Sequence, residues 1–347
     1  MKTKEIKVTG YERVVEAELA NGVKSIIAVH NTKLGPALGG CRFYNYAYDA
    51  DALTDVLRLS EGMSYKSAMA GLPLGGGKSI IIGDPSKVKS KEVLESFGEF
   101  VNLFNGSYIT AKDVGIEVED LDVIAHTTKY VRGTSAKESS GDPSPMTAYG
   151  VFQGIRAAAQ FTWGNSSVKG KTVMVQGLGH VGMSVVKHLI EDGAKIIACD
   201  INQDVVDRAA KNYGIQATDI NGWQTAKADI FCPCAMGAVL NETAINKLAQ
   251  NGVKIVAGGA NNQLVDIVED GDRIKNAGIL FAPDYIINAG GVINIACEIM
   301  GENVSQATAR TSKIYDVVLE IFERAKRENK ATSVVSFQMA REKLGLA

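Results

Sequence analysis

The run Lys171-Thr172-Val173-Met174-Val175-Gln176 has the apolar, β-branched character of a strand and passes directly into Gly177-Leu178-Gly179-His180-Val181-Gly182. Val185, Val186 and Leu189 then recur at helical spacing. A Gly-x-Gly-x-x-Gly alone carries little weight. Here it opens a helix directly after a strand, and a second strand, Lys195-Ile196-Ile197-Ala198-Cys199, ends in Asp200. That context is the one a dinucleotide-binding βαβ unit requires: the glycines admit a pyrophosphate to the backbone, the helix N-terminus faces its charge, and the acid bonds the ribose 2′-hydroxyl. Asp200 repels a 2′-phosphate and Ile201-Asn202-Gln203 provides no arginine, so NAD is expected rather than NADP.

Further strands are expected at 229–231, 254–257 and 279–281. Two of them run into small or polar loops, Pro233-Cys234-Ala235-Met236-Gly237 and Gly258-Gly259-Ala260-Asn261-Asn262. Loops at the carboxyl ends of strands line the ligand crevice of a doubly wound sheet. Asn261 and Asn262 suit a ribose, a carboxamide or a carboxylate, or serve as ordinary turn residues. Residues 304–327 read as one long amphipathic helix, and 333–346 as a short final one.

A second stretch, from Met63 to Pro85, carries Lys66 and Lys78, the latter behind Gly75-Gly76-Gly77 and ahead of the strand Ser79-Ile80-Ile81-Ile82. Three successive glycines imply unusual dihedrals or close approach of a ligand. Lys78 at the mouth of a buried strand, near a second cation, would have a lowered pKa and could serve as a general base, with Lys66 holding an anionic substrate. A triphosphate-binding loop is disfavoured because Leu72 stands where that motif needs glycine, and a plain structural loop remains open.

Around this stretch, 23–30 reads as a strand and 34–40 as a glycine-rich turn. A helix from Asp49 to Met63 leaves Lys66 at its end, where a cation is also favoured for structural reasons alone. A helix over 91–104 precedes the strand and turn 108–115. Asp113 in that turn is a turn former or a helix cap, and a candidate for proton transfer only if the fold brings it to Lys78. The loop-rich 133–145 marks the expected boundary between a first domain, 1–135 with 330–347 packing back on it, and a dinucleotide-binding domain over 145–329. The latter begins with a helix over 147–160.

At 347 residues the chain has room for two domains, and a net charge of −2 gives no reason to expect nucleic acid or an anionic membrane as partner. Five cysteines without repeated spacing and four scattered histidines predict neither a disulfide framework nor a metal site, and the Cys232 and Cys234 pair does not change that. With no signal-peptide pattern and no membrane-spanning run, a cytoplasmic location is expected.

A nicotinamide site with two lysines and an acid fits oxidation of an amino acid, in which water attacks an imino acid and ammonia leaves. The ordered set Leu34 to Gly40, Gly62 to Lys66, Gly75 to Lys78, Thr110 to Gly115, Gly177 to Gly182, Ala260 to Asn262 and Pro283 to Gly291 closely resembles the amino-acid dehydrogenase superfamily of glutamate, leucine, phenylalanine and valine enzymes. It is most similar to the leucine dehydrogenase branch. The resemblance implies an N-terminal α/β substrate domain and a Rossmann-type, doubly wound NAD-binding domain. It implies that Lys66 binds the α-carboxylate beside Gly39, Gly40 and Met63, that Lys78 is the base acting on water, and that Asp113 shuttles protons to and from the amino group. Asn262 would meet substrate. The cofactor would lie along Thr147, Gly177, Leu178, Gly179, His180, Val181, Gly182, Met183, Asp200, Ile201, Cys234, Ala235, Asn261 and Asn288.

The resemblance also speaks to the side-chain pocket. Glutamate enzymes of the superfamily place lysine where Leu38 stands and serine where Ile295 stands, and phenylalanine enzymes tend to carry glycine at Ala111 and alanine at Val292. Leu38, Ala111, Val292 and Ile295 therefore imply an aliphatic wall for leucine, isoleucine or valine, with aromatic amino acids as the alternative. A homo-oligomer is implied, a dimer or an octamer. A shikimate-type dehydrogenase would use NADP and one lysine, and a NAD-sensing regulator would leave the Gly75 to Lys78 stretch without a role.

Overall fold

In the computed structural model, which describes residues 1–136, 141–235 and 237–346, the chain divides into two units. The first comprises Met1–Asp142, Ile295–Asn303 and Ala340–Ala347, and the second Pro143–Asn294 and Val304–Met339. Thus 304–339 lies with the second unit, and only the last residues of the final helix, Thr332–Leu344, belong to the first.

The first unit is built on a mixed sheet of β1 (Lys2–Glu5), β2 (Arg13–Glu18), β3 (Lys24–Asn31), β4 (Ala37–Tyr44), β5 (Gly75–Ile82) and β6 (Tyr108–Lys112), in the order β1-β2-β3-β5-β4-β6. Strands β5, β4 and β6 run parallel, and β3 pairs antiparallel with β5. The helix Asp49–Met69 covers one face, where Val14, Ile26, Ala28 and Ile80 pack against Ala52 and Val56. The helices Lys91–Asn102 and Val118–Ile124 cover the other, closing over Ile27, Cys41, Phe43, Ile81 and Tyr108 with Phe97 and Phe100. Burying both faces fits the near-continuous apolar runs of these strands.

Two expectations are corrected here. The unusual dihedrals offered for Gly75 to Gly77 are absent: these are the first residues of β5, and none has a positive φ. Residues 37–40, expected in a turn, begin β4. The glycines serve close packing between elements, not turning. A Cβ on Gly76 would collide with the Ser64 amide of the covering helix, so that helix can sit on the strand only because the side chain is absent.

The second unit carries an all-parallel sheet of β7 (Thr172–Gln176), β8 (Lys195–Cys199), β9 (Gln216–Ala217), β10 (Ile230–Pro233), β11 (Ile255–Val256) and β12 (Leu280–Phe281). The order β12-β11-β10-β7-β8-β9 reverses direction between β7 and β10, as in the Rossmann doubly wound fold. Helices Ser144–Trp163 and His180–Glu191 flank it. The single helix expected over 304–327 is two, Val304–Ser312 and Ile314–Glu328. Lys313 between them closes a tighter turn, its amide bonding the Arg310 carbonyl three residues back, which periodicity does not register.

Candidate active site

Strand alternation on the first sheet sets the site. Register pairs Leu38 with Gly76 and Ile109, and Gly40 with Ala111, so Leu38, Gly40 and Arg42 share a face with Gly76, Lys78 and Ile80 and with Ile109 and Ala111. Asp113, one residue beyond β6, continues that row. Lys78 is 7 % exposed and forms an ion pair with Asp113 Oδ2. The condition attached to Asp113 in the sequence is therefore met: the fold brings it to Lys78.

The carboxylate is held from two more directions. Its Oδ1 accepts the Val114 amide at 2.8 Å, and Arg42 Nε stands 3.5 Å from Oδ2. Burial pushes the Asp113 carboxyl up, but the charges of Lys78 and Arg42 outweigh it and hold the group below the usual carboxylate range. Leu38 and Ala111 are buried on the same face. Met63 and Lys66 lie in the last turns of the covering helix, half-buried, with the intervening Ser64 bonded to His30 Nδ1 at 2.8 Å. On the opposite face the Tyr108 hydroxyl donates to the Gly39 carbonyl at 2.6 Å and lies 2.9 Å from Ser79 Oγ, fixing the backbone of both glycine-bearing strands.

Sequence reading missed Arg42, Asp55, Tyr46, His30 and Tyr108. The signal for Arg42 was present: a charged residue placed by alternation on the same face as Gly40, within an otherwise buried strand.

In the second unit, the glycine loop leaves β7 at Gly177, whose φ of 96° suits glycine alone, and a Cβ there would press on Ala235 after β10 at 2.8 Å. Gly177 and Ala235 thus mark the switch point of the sheet. The helix His180–Glu191 begins just after Gly179, which faces open space: a Cβ built there meets nothing within 4 Å. A helix N-terminus without side-chain cover is what a pyrophosphate needs, so the residues fit a dinucleotide. Gly182 packs on Gly177, Val181 and Met183 lie half-buried on the first turn, and Leu178 is buried beneath it. Asp200 Oδ2 accepts the Leu178 amide at 2.6 Å and Oδ1 accepts the Asn202 amide at 2.8 Å, while Ile201 is 92 % exposed.

The loops after β10 and β11 complete this rim. Cys232 and Cys234 have sulfurs 3.6 Å apart, and their mutual hydrogen bond raises the first thiol well above its ordinary value and lowers the second. Asn288 donates to Asn261 Oδ1 at 2.7 Å and to the Gly259 carbonyl at 3.2 Å, and Asn262 holds a φ of 53°. Thr147 Oγ1 donates to the Pro143 carbonyl at 3.0 Å. Val292 sits on the helix Gly290–Met300 within the second unit, whereas Ile295, further along that helix, belongs to the first. Met236 lies outside the described residues, as do 137–140 of the expected boundary loop. Among the described residues no group of three or more His, Cys, Asp or Glu side chains could hold a metal ion, and no helix is long and apolar enough to cross a membrane.

A Rossmann sheet with an exposed glycine loop, in a chain that also buries a lysine against an aspartate, defines a nicotinamide-nucleotide dehydrogenase of the two-domain kind. The chain belongs to the Glu/Leu/Phe/Val dehydrogenase family: residues 11–130 match its dimerisation-domain model, and residues 140–220 and 202–342 match its glutamate/leucine/phenylalanine/valine dehydrogenase model. It is 48 % identical over 336 residues to the leucine dehydrogenase of Geobacillus stearothermophilus, covering 96 % of this chain and 90 % of that one. Identity to the valine dehydrogenase of Streptomyces virginiae is 44 % over 340 residues, with 96 % and 94 % covered. Among solved structures, the L-tryptophan dehydrogenase of Nostoc punctiforme superposes with a TM-score of 0.86 at 38 % identity, covering 97 % of this chain and 96 % of that one.

Proposed function

We propose that this protein catalyses the reversible NAD-dependent oxidative deamination of branched-chain aliphatic L-amino acids: amino acid, NAD+ and water give 2-oxo acid, ammonium, NADH and a proton. The observation that carries the reading is the buried Lys78 and Asp113 ion pair, with Leu38 and Ala111 on the same sheet face. The similarity to leucine and valine dehydrogenases supports the same substrate class.

Bound NAD supplies the hydride acceptor. The chain's own residues do the rest. Lys66 holds the α-carboxylate, with Gly39, Gly40 and Met63 around the substrate. Lys78, in its neutral form, takes a proton from the water that attacks the imino carbon, and Asp113 receives and returns the proton of the amino nitrogen. Gly177 to Met183 hold the pyrophosphate, and Asp200 the adenosine ribose with Ile201 beside it. Thr147, Cys234, Ala235, Asn261 and Asn288 line the remainder. With Asp200 at the ribose, NAD is preferred over NADP. In the first unit the substrate side chain meets an aliphatic wall of Leu38, Ala111 and Ile295, where a glutamate carboxylate would have to be buried without a partner, at a cost of several kcal/mol. The match to a dimerisation-domain model supports a homo-oligomer joined through the first unit.

The test is NADH production from leucine, valine, isoleucine, phenylalanine, tryptophan and glutamate, each with NAD and with NADP. Fastest turnover of a branched aliphatic with NAD is expected. The tryptophan dehydrogenase neighbour favours the second reading, the same mechanism on an aromatic side chain, and an aromatic leading the panel would overturn the pocket assignment while keeping the lysine chemistry.

A further inference from the structure

Asp113 Oδ2 has two cationic neighbours. Lys78 pairs with it directly, and Arg42 Nε lies 3.5 Å away. Arg42 Nε and Asp113 Oδ2 are both buried, and no hydrogen bond joins them. Their relation is one of charge at close range. The guanidinium is itself anchored from behind: Nη1 donates to Asp55 Oδ2 at 2.6 Å, and the Tyr46 hydroxyl donates to the same oxygen at 2.6 Å. Asp55 is mostly buried, and its Oδ1 lies 3.5 Å from Arg58 Nη2.

The reason for a second cation follows from charge counting, given the reading of Lys78 and Asp113 as the acid-base pair. A base must spend part of each cycle as a neutral amine. During that part Lys78 lends Asp113 no charge, and burial alone would drive the carboxylate to take up a proton. It could then not receive one from the substrate. A guanidinium does not titrate in this range, so its charge persists through both states of Lys78.

We propose that Arg42 is a positioning residue for the reaction, its fixed charge keeping Asp113 a carboxylate while Lys78 cycles between ammonium and amine, with Asp55 and Tyr46 holding the guanidinium in place. The other groups facing Asp113 cannot substitute for it. From its own turn comes the Val114 amide. From the opposite side of the sheet come the Cys41 thiol, which burial pushes up to about 12, and the Tyr108 hydroxyl, which burial also pushes up; both stay neutral.

The experiment uses full-length Arg42→Gln and Arg42→Lys proteins and two readouts. The first needs no turnover: the Asp113 carboxyl is titrated by carbon-13 NMR, its signal assigned by its loss in Asp113→Asn. In Arg42→Gln its midpoint should rise by about one pH unit or more, and Arg42→Lys should restore it towards wild type. The second is the pH profile of kcat/KM for leucine deamination, whose acid limb should move upward in Arg42→Gln. An unmoved Asp113 midpoint in folded Arg42→Gln overturns the proposal whatever the activity, and so does a uniform loss of activity with the limb in place. A moved midpoint in a protein whose wild type deaminates no amino acid would uphold the hold of Arg42 on Asp113 and overturn the reaction assigned above. If Arg42→Gln does not fold, Asp55→Asn releases the guanidinium without removing it. The same upward shift is then expected, and its absence counts against the proposal.

Discussion

Gly40 and Asp113 approach so closely that a Cβ on Gly40 would lie 2.9 Å from the Asp113 Cβ and 2.5 Å from the Lys112 carbonyl oxygen. The site therefore depends on a missing side chain in β4 as much as on the charged groups beside it. In Gly40→Ala the turn after β6 must move, carrying the carboxylate away from Lys78. A displacement of about 1 Å at a reacting group costs on the order of a hundredfold, so kcat/KM for the amino acid should fall at least that far. NADH affinity, assigned above to the second unit, should stay unchanged. Kinetics alongside an NADH fluorescence titration check this, and wild-type kinetics in Gly40→Ala would show that the turn accommodates the methyl group.

Asp200 accepts two backbone amides, from Leu178 and Asn202, and so shapes the glycine loop in addition to the role at the ribose proposed for it. Asp200→Ser should weaken NAD through both effects and remove the charge that opposes a 2′-phosphate. The ratio of kcat/KM for NADP over NAD should rise by about tenfold or more, a hydrogen bond to a charged group being worth roughly 1.5–3 kcal/mol. An unchanged ratio would remove Asp200 from cofactor selection.

The dinucleotide unit was legible because its signal is local. Strand, glycine loop, helix and acid follow one another in the chain, and the periodicity changes from 2 to 3.6 at the glycines. The Lys78 site was legible only as a list of candidates. What assembles it is the register of three parallel strands from distant parts of the chain, and periodicity carries no register. The same limit explains why Gly75 to Gly77 read as unusual backbone, with a plain loop as the alternative, and not as strand. Glycine in a strand is rare enough to suggest turning, and the covering helix that makes Gly76 necessary is specified elsewhere, at Ser64. Arg42 was overlooked because alternation alone does not say which neighbouring strand end holds an acid.

His30 predicts how the protein responds to acid. It is 5 % exposed, its Nδ1 is 2.8 Å from Ser64 Oγ, and burial lowers its pKa from the ordinary 6.5 despite the nearby Glu61 and Glu12. The unfolded chain therefore binds this proton first as pH falls. The stability contributed by neutral His30 is complete above about pH 6.5 and is lost progressively below it, towards the lowered folded value. Urea unfolding from neutral pH to about pH 5 should show a declining free energy, with a shallower slope in His30→Gln. Equal slopes would mean that His30 does not titrate with unfolding.

The most direct test of the central claim is turnover by Lys78→Ala. NADH should bind with unaltered affinity, since the glycine loop and Asp200 are untouched, while NAD-dependent deamination of leucine should fall by about a thousandfold or more, the scale of general acid-base catalysis. Deamination within about tenfold of wild type, in a variant that still binds NADH, would contradict the assignment of Lys78 as the base.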